Sequence, residues 1–298
     1  MAGSEGRLSL QNPTPALLWG LVGCMVVMWS VNPIAAKIAL RHLPAPLLVS
    51  VRTTIAALIV LPWLFRARRV VHAGHWWKLA LLGAGLQVGN QLIYVTSLSL
   101  TSVAHAAFIY SVVPVIILLL AASRGQEKIT SKKLIGMSVC VAGAVWLAMD
   151  RSGGGNPSLQ GDALLVVAGL LFAAFTVFGK QARQQYGAVV LNSLAYVSGA
   201  ALLQPVIWIV YRDFSLLSVP SEAWWAVSYM AVFPSVFGYL IYYWALGHVP
   251  ASRIAGVQYI QPLTATSLGW VLLGESVSLN LGLAGAVILA GVYLAERR

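Results

Sequence analysis

Gln87, Asn90, Gln91 and Tyr94 fall at spacings of three and four inside an apolar run, so a helix carries all four on one face. Such a face offers hydrogen-bond donors and acceptors without a charge. Asn32, Tyr110 and Ser111 extend this set in the first half of the chain; Tyr239, Tyr242, Gln258, Tyr259 and Gln261 extend it in the second. Interhelical hydrogen bonds, worth about 0.6 kcal/mol each in membranes, account for part of the set. As a group these residues suit a solute with hydrogen-bonding ends and an apolar or aromatic body. The charged side chains near them are basic. Arg52 stands some seven residues into an apolar run, roughly 10 Å deep at about 1.5 Å per residue. An arginine at mid-membrane costs about 2.5 to 3.5 kcal/mol, so it faces a wet cavity or a partner, or binds carbonyls freed near Pro33. Lys37 and His105 stand near the ends of other apolar runs, where positive charge favours a carboxylate or phosphate. Interfacial snorkelling is the competing reading for such ends.

Glu5, Glu127, Asp150, Asp162, Asp213, Glu222, Glu275 and Glu296 all fall in expected loops, tails or end turns. A mid-membrane carboxylate, the usual proton carrier of coupled transport, is therefore not expected, and His105 is left as the titratable group. Gly153–Gly155 lacks the following lysine and hydroxyl of a phosphate loop, and His72 with His75 is a loop pair without further ligands. Neither enzyme chemistry, nor a metal, nor a cofactor is expected. Cys24 and Cys140 sit in apolar segments as core residues.

The elements that position these residues follow from composition. With 59% hydrophobic and 9% charged residues and a mean hydropathy of +0.81, the chain exceeds what one water-soluble core can bury. A helix needs about 20 apolar residues to cross a bilayer. Ten such stretches are predicted, near 15–39, 45–65, 76–97, 101–122, 132–149, 160–182, 188–210, 221–246, 250–273 and 278–295. They run apolar throughout rather than alternating, so the predicted fold is an all-α integral membrane protein, not a barrel. The basic residues set its orientation: an N-terminus in the cytoplasm puts fourteen of the nineteen on that side, including Arg66, Arg68, Arg69, Lys132 and Lys133. The net charge of +11 thus reads as topology rather than nucleic-acid contact, with both termini cytoplasmic.

The chain also repeats itself. Trp76-Trp77 answers Trp224-Trp225, Tyr94 answers Tyr242, Pro114 answers Pro262, Glu127 answers Glu275 and Gly143 answers Gly291, at an offset of one hundred and forty-eight. Lys37 answers Lys180 and Pro62 answers Pro205 at an offset of one hundred and forty-three. The expected division is a five-helix repeat over 1–149, an external linker over 150–159 and a second five-helix repeat over 160–298. Five is odd, so the two repeats are expected to be inverted in the membrane, an arrangement that implies alternating access. Pro33, Pro114 and Pro262 interrupt helices one, four and nine and are the expected hinges. Small-residue runs in helices five and ten suit close packing and self-association as a homo-oligomer.

Trp29-Ser30-Val31-Asn32-Pro33-Ile34-Ala35-Ala36-Lys37 resembles the first-helix signature of the drug/metabolite transporter superfamily, in particular its EamA branch. Arg52 sits where that family's second helix often has an arginine. The blocks Thr96–Leu120 and Trp244–Glu275 resemble its fourth and ninth helices, each with a mid-helix proline and a downstream glutamate. The first block departs from the pattern at Thr96-Ser97-Leu98 and Arg124-Gly125-Gln126. The resemblance covers essentially the whole chain. It implies a secondary transporter of the bacterial inner membrane, in families that carry amino acids, drugs, sugars and nucleotide-linked compounds, and the expected function is export or facilitation of amino acids or related small metabolites. Efflux of lipophilic cations, antiport of sugar phosphates or nucleotide sugars, and a non-transporting sensor or assembly role remain open alternatives. The expected substrate-contacting residues are Asn32, Lys37, Arg52, Asn90, Gln91, Tyr94, His105, Tyr110, Tyr239, Tyr242, Gln258 and Gln261.

Overall fold

The computed structural model describes residues 13–67, 71–125, 128–149, 157–249, 254 and 260–296. Glu127, Arg253, Gln258 and Tyr259 lie outside them. No strand occurs among the described residues. The helices are α1 (Pro15–Leu40), α2 (Ala45–Ala67), α3 (Trp76–Leu98), α4 (Val103–Ser123), α5 (Ser131–Met149), α6 (Leu159–Tyr186), α7 (Ala188–Val210), α8 (Ser221–Ala245), α9 (Ile260–Leu273) and α10 (Leu279–Glu296). Through α8 they are long and apolar enough to cross a membrane, which makes eight; α9 and α10 are shorter apolar helices. The predicted ninth span began at 250, and most of its first turns lie outside the described residues.

Local chemistry sets the helix starts. Thr14 caps α1, its hydroxyl accepting the Leu17 amide at 3.3 Å, and Pro15 follows at the first helical position. Ser102 caps α4 through the His105 amide at 3.1 Å, and Ser158 caps α6 through the Gly161 amide at 3.0 Å. The bodies are less regular. In α3 the stretch Leu82–Val88 winds as a π-helix, and in α8 so does Ala231–Gly238 around Pro234. These two stretches overlap when the repeats are aligned at their offset, so the same irregularity occurs in both halves. In α4 the helix breaks between Tyr110 and Val113, one residue before Pro114.

Packing follows the duplication. α2 lies against α7, α4 against α9, and α5 against α10. The contacts of α1 with α8 and α9 are matched by those of α6 with α3 and α4, and the contact of α2 with α8 by that of α7 with α3. Exchanging each helix for its counterpart reproduces these main contacts. The tightest pair is α5 with α10, where a Cβ on Gly136 would lie 2.2 Å from the Ala295 nitrogen and one on Gly291 would lie 2.3 Å from the Cys140 nitrogen. Only glycine permits that approach. The small-residue faces that suggested a homo-oligomer are thus occupied within one chain.

Large apolar side chains cover the outside: Ile209 is 75% exposed, Trp208 71% and Trp225 76%. Water does not tolerate a surface of this kind around a whole bundle, and a bilayer does.

Candidate functional site

A cavity of about 110 Å³ lies at the centre of the bundle. α1 contributes Trp29, Asn32 and Pro33; α2 contributes Arg52; α3 contributes Asn90, Gln91 and Tyr94; α4 contributes Tyr110 and Pro114; α6 contributes Phe172; α8 contributes Tyr239; α9 contributes Gln261 and Pro262. Both halves build it. Several linings are counterparts across the repeat: Trp29 with Phe172, Gln91 with Tyr239, and Pro114 with Pro262. Trp29 and Phe172 meet edge to face at 6.1 Å. Identical positions of two similar units converge here, so the cavity lies where the halves face each other.

Among the described residues Arg52 is the charged group in the wall. It is 2% exposed, its Nε donates to the Ser235 hydroxyl at 2.8 Å, and it forms no ion pair among the described residues. The Ser235 hydroxyl in turn donates to the Met230 carbonyl at 2.7 Å. That carbonyl lies four residues before Pro234, which has no amide to offer it. The π-helical turn and the proline therefore produce a polar seat for Arg52. Tyr94, Tyr196 and Tyr239 lie within electrostatic reach of the guanidinium.

The uncharged set is partly committed. Asn90 donates to the Tyr110 hydroxyl at 2.9 Å and to the Ala168 carbonyl at 2.7 Å. Gln91 donates to the Tyr196 hydroxyl at 2.8 Å. Three polar atoms of lining residues have no partner among the described residues: Asn32 Oδ1, Gln91 Oε1 and Gln261 Nε2. Two of these accept and one donates. Together with Arg52 they leave a site with a cation for a carboxylate and free acceptors for hydrogen-bond donors. Trp29, Tyr94, Tyr110, Phe172 and Tyr239 supply an aromatic wall; the Trp29 and Tyr239 rings lie 5.3 Å apart, and those of Tyr94 and Tyr110 4.9 Å apart.

The structure thus gathers Asn32, Arg52, Asn90, Gln91, Tyr94, Tyr110, Tyr239 and Gln261 of the expected residues, with all three expected hinge prolines. Lys37, His105 and Tyr242 stand outside the lining. Lys37 donates to the Thr101 carbonyl at 2.5 Å, toward one end of the bundle. His105 Nε2 lies 2.9 Å from Asp162 Oδ1, and both side chains are buried. Asp162 is in the first turn of α6, as expected, yet it is enclosed by the neighbouring helices rather than solvated. Tyr242 shares a hydroxyl contact of 3.0 Å with Thr176 and packs its ring 5.3 Å from Trp29 and 5.6 Å from Phe172, one layer behind the wall. Gln87 is likewise behind it, accepting from the Tyr243 hydroxyl at 2.8 Å. Gln258 lies outside the described residues. Trp29, Phe172 and Ser235 were not anticipated. The repeat offset carried a signal for the aromatic pair, since Trp29 maps onto Phe172.

Among the described residues no group of three or more His, Cys, Asp or Glu is placed to hold a metal ion. Apolar spans, a central polar chamber and a surface made for lipid define a multi-span helical membrane protein of the transporter class. The chain belongs to the EamA-like transporter family, whose profile matches residues 14–149 and again residues 159–296. It is similar to an "Uncharacterized transporter" of Archaeoglobus fulgidus, 25% identical over 94% of this chain and 99% of that one. It is also similar to a "Probable amino-acid metabolite efflux pump" of Salmonella typhimurium, 25% identical over 91% of each chain. The "Uncharacterized inner membrane transporter YedA" of Escherichia coli is 25% identical over 93% of this chain and 90% of its own. A solved structure aligns over 95% of this chain and 97% of its own, with a TM-score of 0.68 at 20% identity, a likeness of fold.

Proposed function

We propose that the chain moves amino acids or closely related small zwitterions across the bacterial inner membrane by alternating access, in the outward direction. The observation that carries this reading is Arg52, a buried guanidinium in the wall of a central cavity with no acidic partner among the described residues. A buried cation without a counter-ion is costly, and a solute carboxylate offsets that cost by a bidentate contact. Asn32 Oδ1 and Gln91 Oε1 are acceptors suited to the ammonium of the same solute. The aromatic wall then takes its side chain. The similarity to a protein named as an amino-acid metabolite efflux pump agrees with this substrate class and suggests the direction.

Alternating access is supported by the duplication. If all ten helices cross the bilayer, five per half leave the halves inverted, and exchanging their conformations opens the cavity to the opposite side. The division proposed is 1–149 and 160–298 about a linker at 150–159, with Pro33, Pro114 and Pro262 as the bending points beside the solute. With the N-terminus in the cytoplasm, that linker is external and both termini are internal.

A ligand-stabilisation screen on the purified protein tests the chemistry. A solute present at one hundred times its dissociation constant stabilises the folded state by about 2.7 kcal/mol. Amino acids should raise the unfolding temperature, and the matching amines, which lack the carboxylate, should not. Equal stabilisation by the amines, or by lipophilic cations alone, would contradict the role given to Arg52.

A further inference from the structure

One end of the bundle is held together by contacts that the solute cavity does not require. After Leu273, Gly274 takes φ +67°, and the chain reverses so that the Glu275 amide donates to the Gly269 carbonyl at 3.2 Å. The Glu275 carboxylate thereby crosses from the second half of the chain to the first. Its Oε1 accepts the Val103 amide at 2.8 Å and its Oε2 the Ala104 amide at 3.2 Å. These are the first two amides of α4, donors with no partner inside the helix, and the helix dipole adds to their attraction for an anion. Lys37 of α1 binds the Thr101 carbonyl just before α4 and lies within electrostatic reach of Glu275. The same end carries His105 against Asp162 at 2.9 Å and the Ser158 hydroxyl donating to the Leu100 carbonyl at 3.0 Å. Every one of these contacts converges on the start of α4.

Resting on alternating access as proposed above, we infer that Glu275 is a latch: its carboxylate on the α4 N-terminus holds this end of the solute pathway shut, and opening that end requires its release. α4 lines the cavity at Ala107, Tyr110 and Pro114, so moving its first turn uncovers the solute's surroundings. The contact is charge-assisted and therefore strong, yet it lies at a half-exposed chain reversal rather than in the packed core, which lets it break without unpacking a helix. Charge bias puts this end on the external side. Glu127 is the counterpart of Glu275 in the repeat and lies outside the described residues; it serves as the comparison.

Single-cysteine labelling tests the latch. Cys24 and Cys140 are replaced by serine, Ala107→Cys is introduced, and the protein in lipid vesicles is exposed to a membrane-impermeant maleimide from each face in turn. Glu275→Gln keeps the side-chain shape but weakens the cap, and is expected to raise the labelling rate from the Lys37 face about tenfold, the equivalent of losing one charge-assisted bond. Gly269→Ala is the second variant, since its Cβ would lie 3.0 Å from Glu275 Oε2 and displace the carboxylate without removing it. It is expected to give a smaller rise from the same face. Should Glu275→Gln not fold, Gly269→Ala decides the outcome alone. Unchanged labelling in the folded variants overturns the latch, as does an equal rise from the Lys37 face in Glu127→Gln. Labelling needs no substrate, so it separates the two readings. Wild-type solute flux with unchanged labelling removes the latch alone, whereas absent flux removes the substrate assignment and leaves the labelling result standing.

Discussion

Arg52 owes its place to a chain of dependencies: Pro234 has no amide to give the Met230 carbonyl, the Ser235 hydroxyl donates to that carbonyl, and the Ser235 oxygen accepts from Arg52 Nε. Truncating the middle of this chain removes a hydrogen bond to a charged group, worth about 1.5 to 3 kcal/mol. Ser235→Ala is accordingly expected to weaken binding of a carboxylate solute about tenfold or more, measured by calorimetric titration. Thr176→Ala, which frees the Tyr242 hydroxyl behind the wall, should leave the affinity unchanged. At this scale the sequence was readable where polarity stands out against an apolar run, as at Asn32, Arg52, Asn90 and Gln91. Trp29 and Phe172 were hidden because an aromatic side chain facing a cavity has the same composition as one facing lipid. Ser235 was hidden because a hydroxyl inside a membrane helix ordinarily bonds its own backbone, and only the path of α2 brings Arg52 to it. Lys37 binds a backbone carbonyl and His105 faces a carboxylate, and neither joins the cavity lining. The distance from the end of a hydrophobic run does not fix which neighbour a basic side chain finds.

The helices show how far irregular backbone is used to build the chamber. α3 and α8 both carry π-helical stretches, at Leu82–Val88 and Ala231–Gly238, and α4 breaks at Ser111 and Val112 before Pro114. π-turns concentrate at functional sites, and here they lie beside the residues that line the cavity. Proline marked two of these places in the sequence; the stretch Leu82–Val88 has none, and its glycines Gly83 and Gly85 weaken a helix without specifying a π-turn. α5 and α10 are the opposite case, regular and closely apposed at Gly136, Gly143 and Gly291. Any side chain at Gly291 meets the Cys140 backbone at 2.3 Å, and overpacking of this sort costs about 1 to 3 kcal/mol. Gly291→Val should lower the unfolding temperature in detergent, while Gly282→Ala, with open space around it, should not. Their small-residue patterns were legible as a close-packing face, but not as partners of each other, because pattern alone does not say whether the opposing helix comes from the same chain.

For the molecule as a whole, duplication is the organising fact. It was legible from matched residues at two nearby offsets, and the main helix contacts repeat under exchange of the halves. The family profile accordingly fits the chain twice. What the offset did not convey is which residues meet across the interface, since that depends on the angle at which the halves cross. The contacts of Glu275 with α4 and of His105 with Asp162 are products of that crossing. The proposed function joins the scales: a cavity built by both halves, a buried cation in its wall, and a solute proposed to supply the anion. Counterflow in proteoliposomes tests this most directly, with vesicles loaded with an unlabelled amino acid and the labelled form supplied outside, for the wild type and for Arg52→Ala. The account predicts transient accumulation of label by the wild type for at least one amino acid and its loss in the folded variant. No accumulation across a broad panel, or equal accumulation with and without the guanidinium, would contradict it.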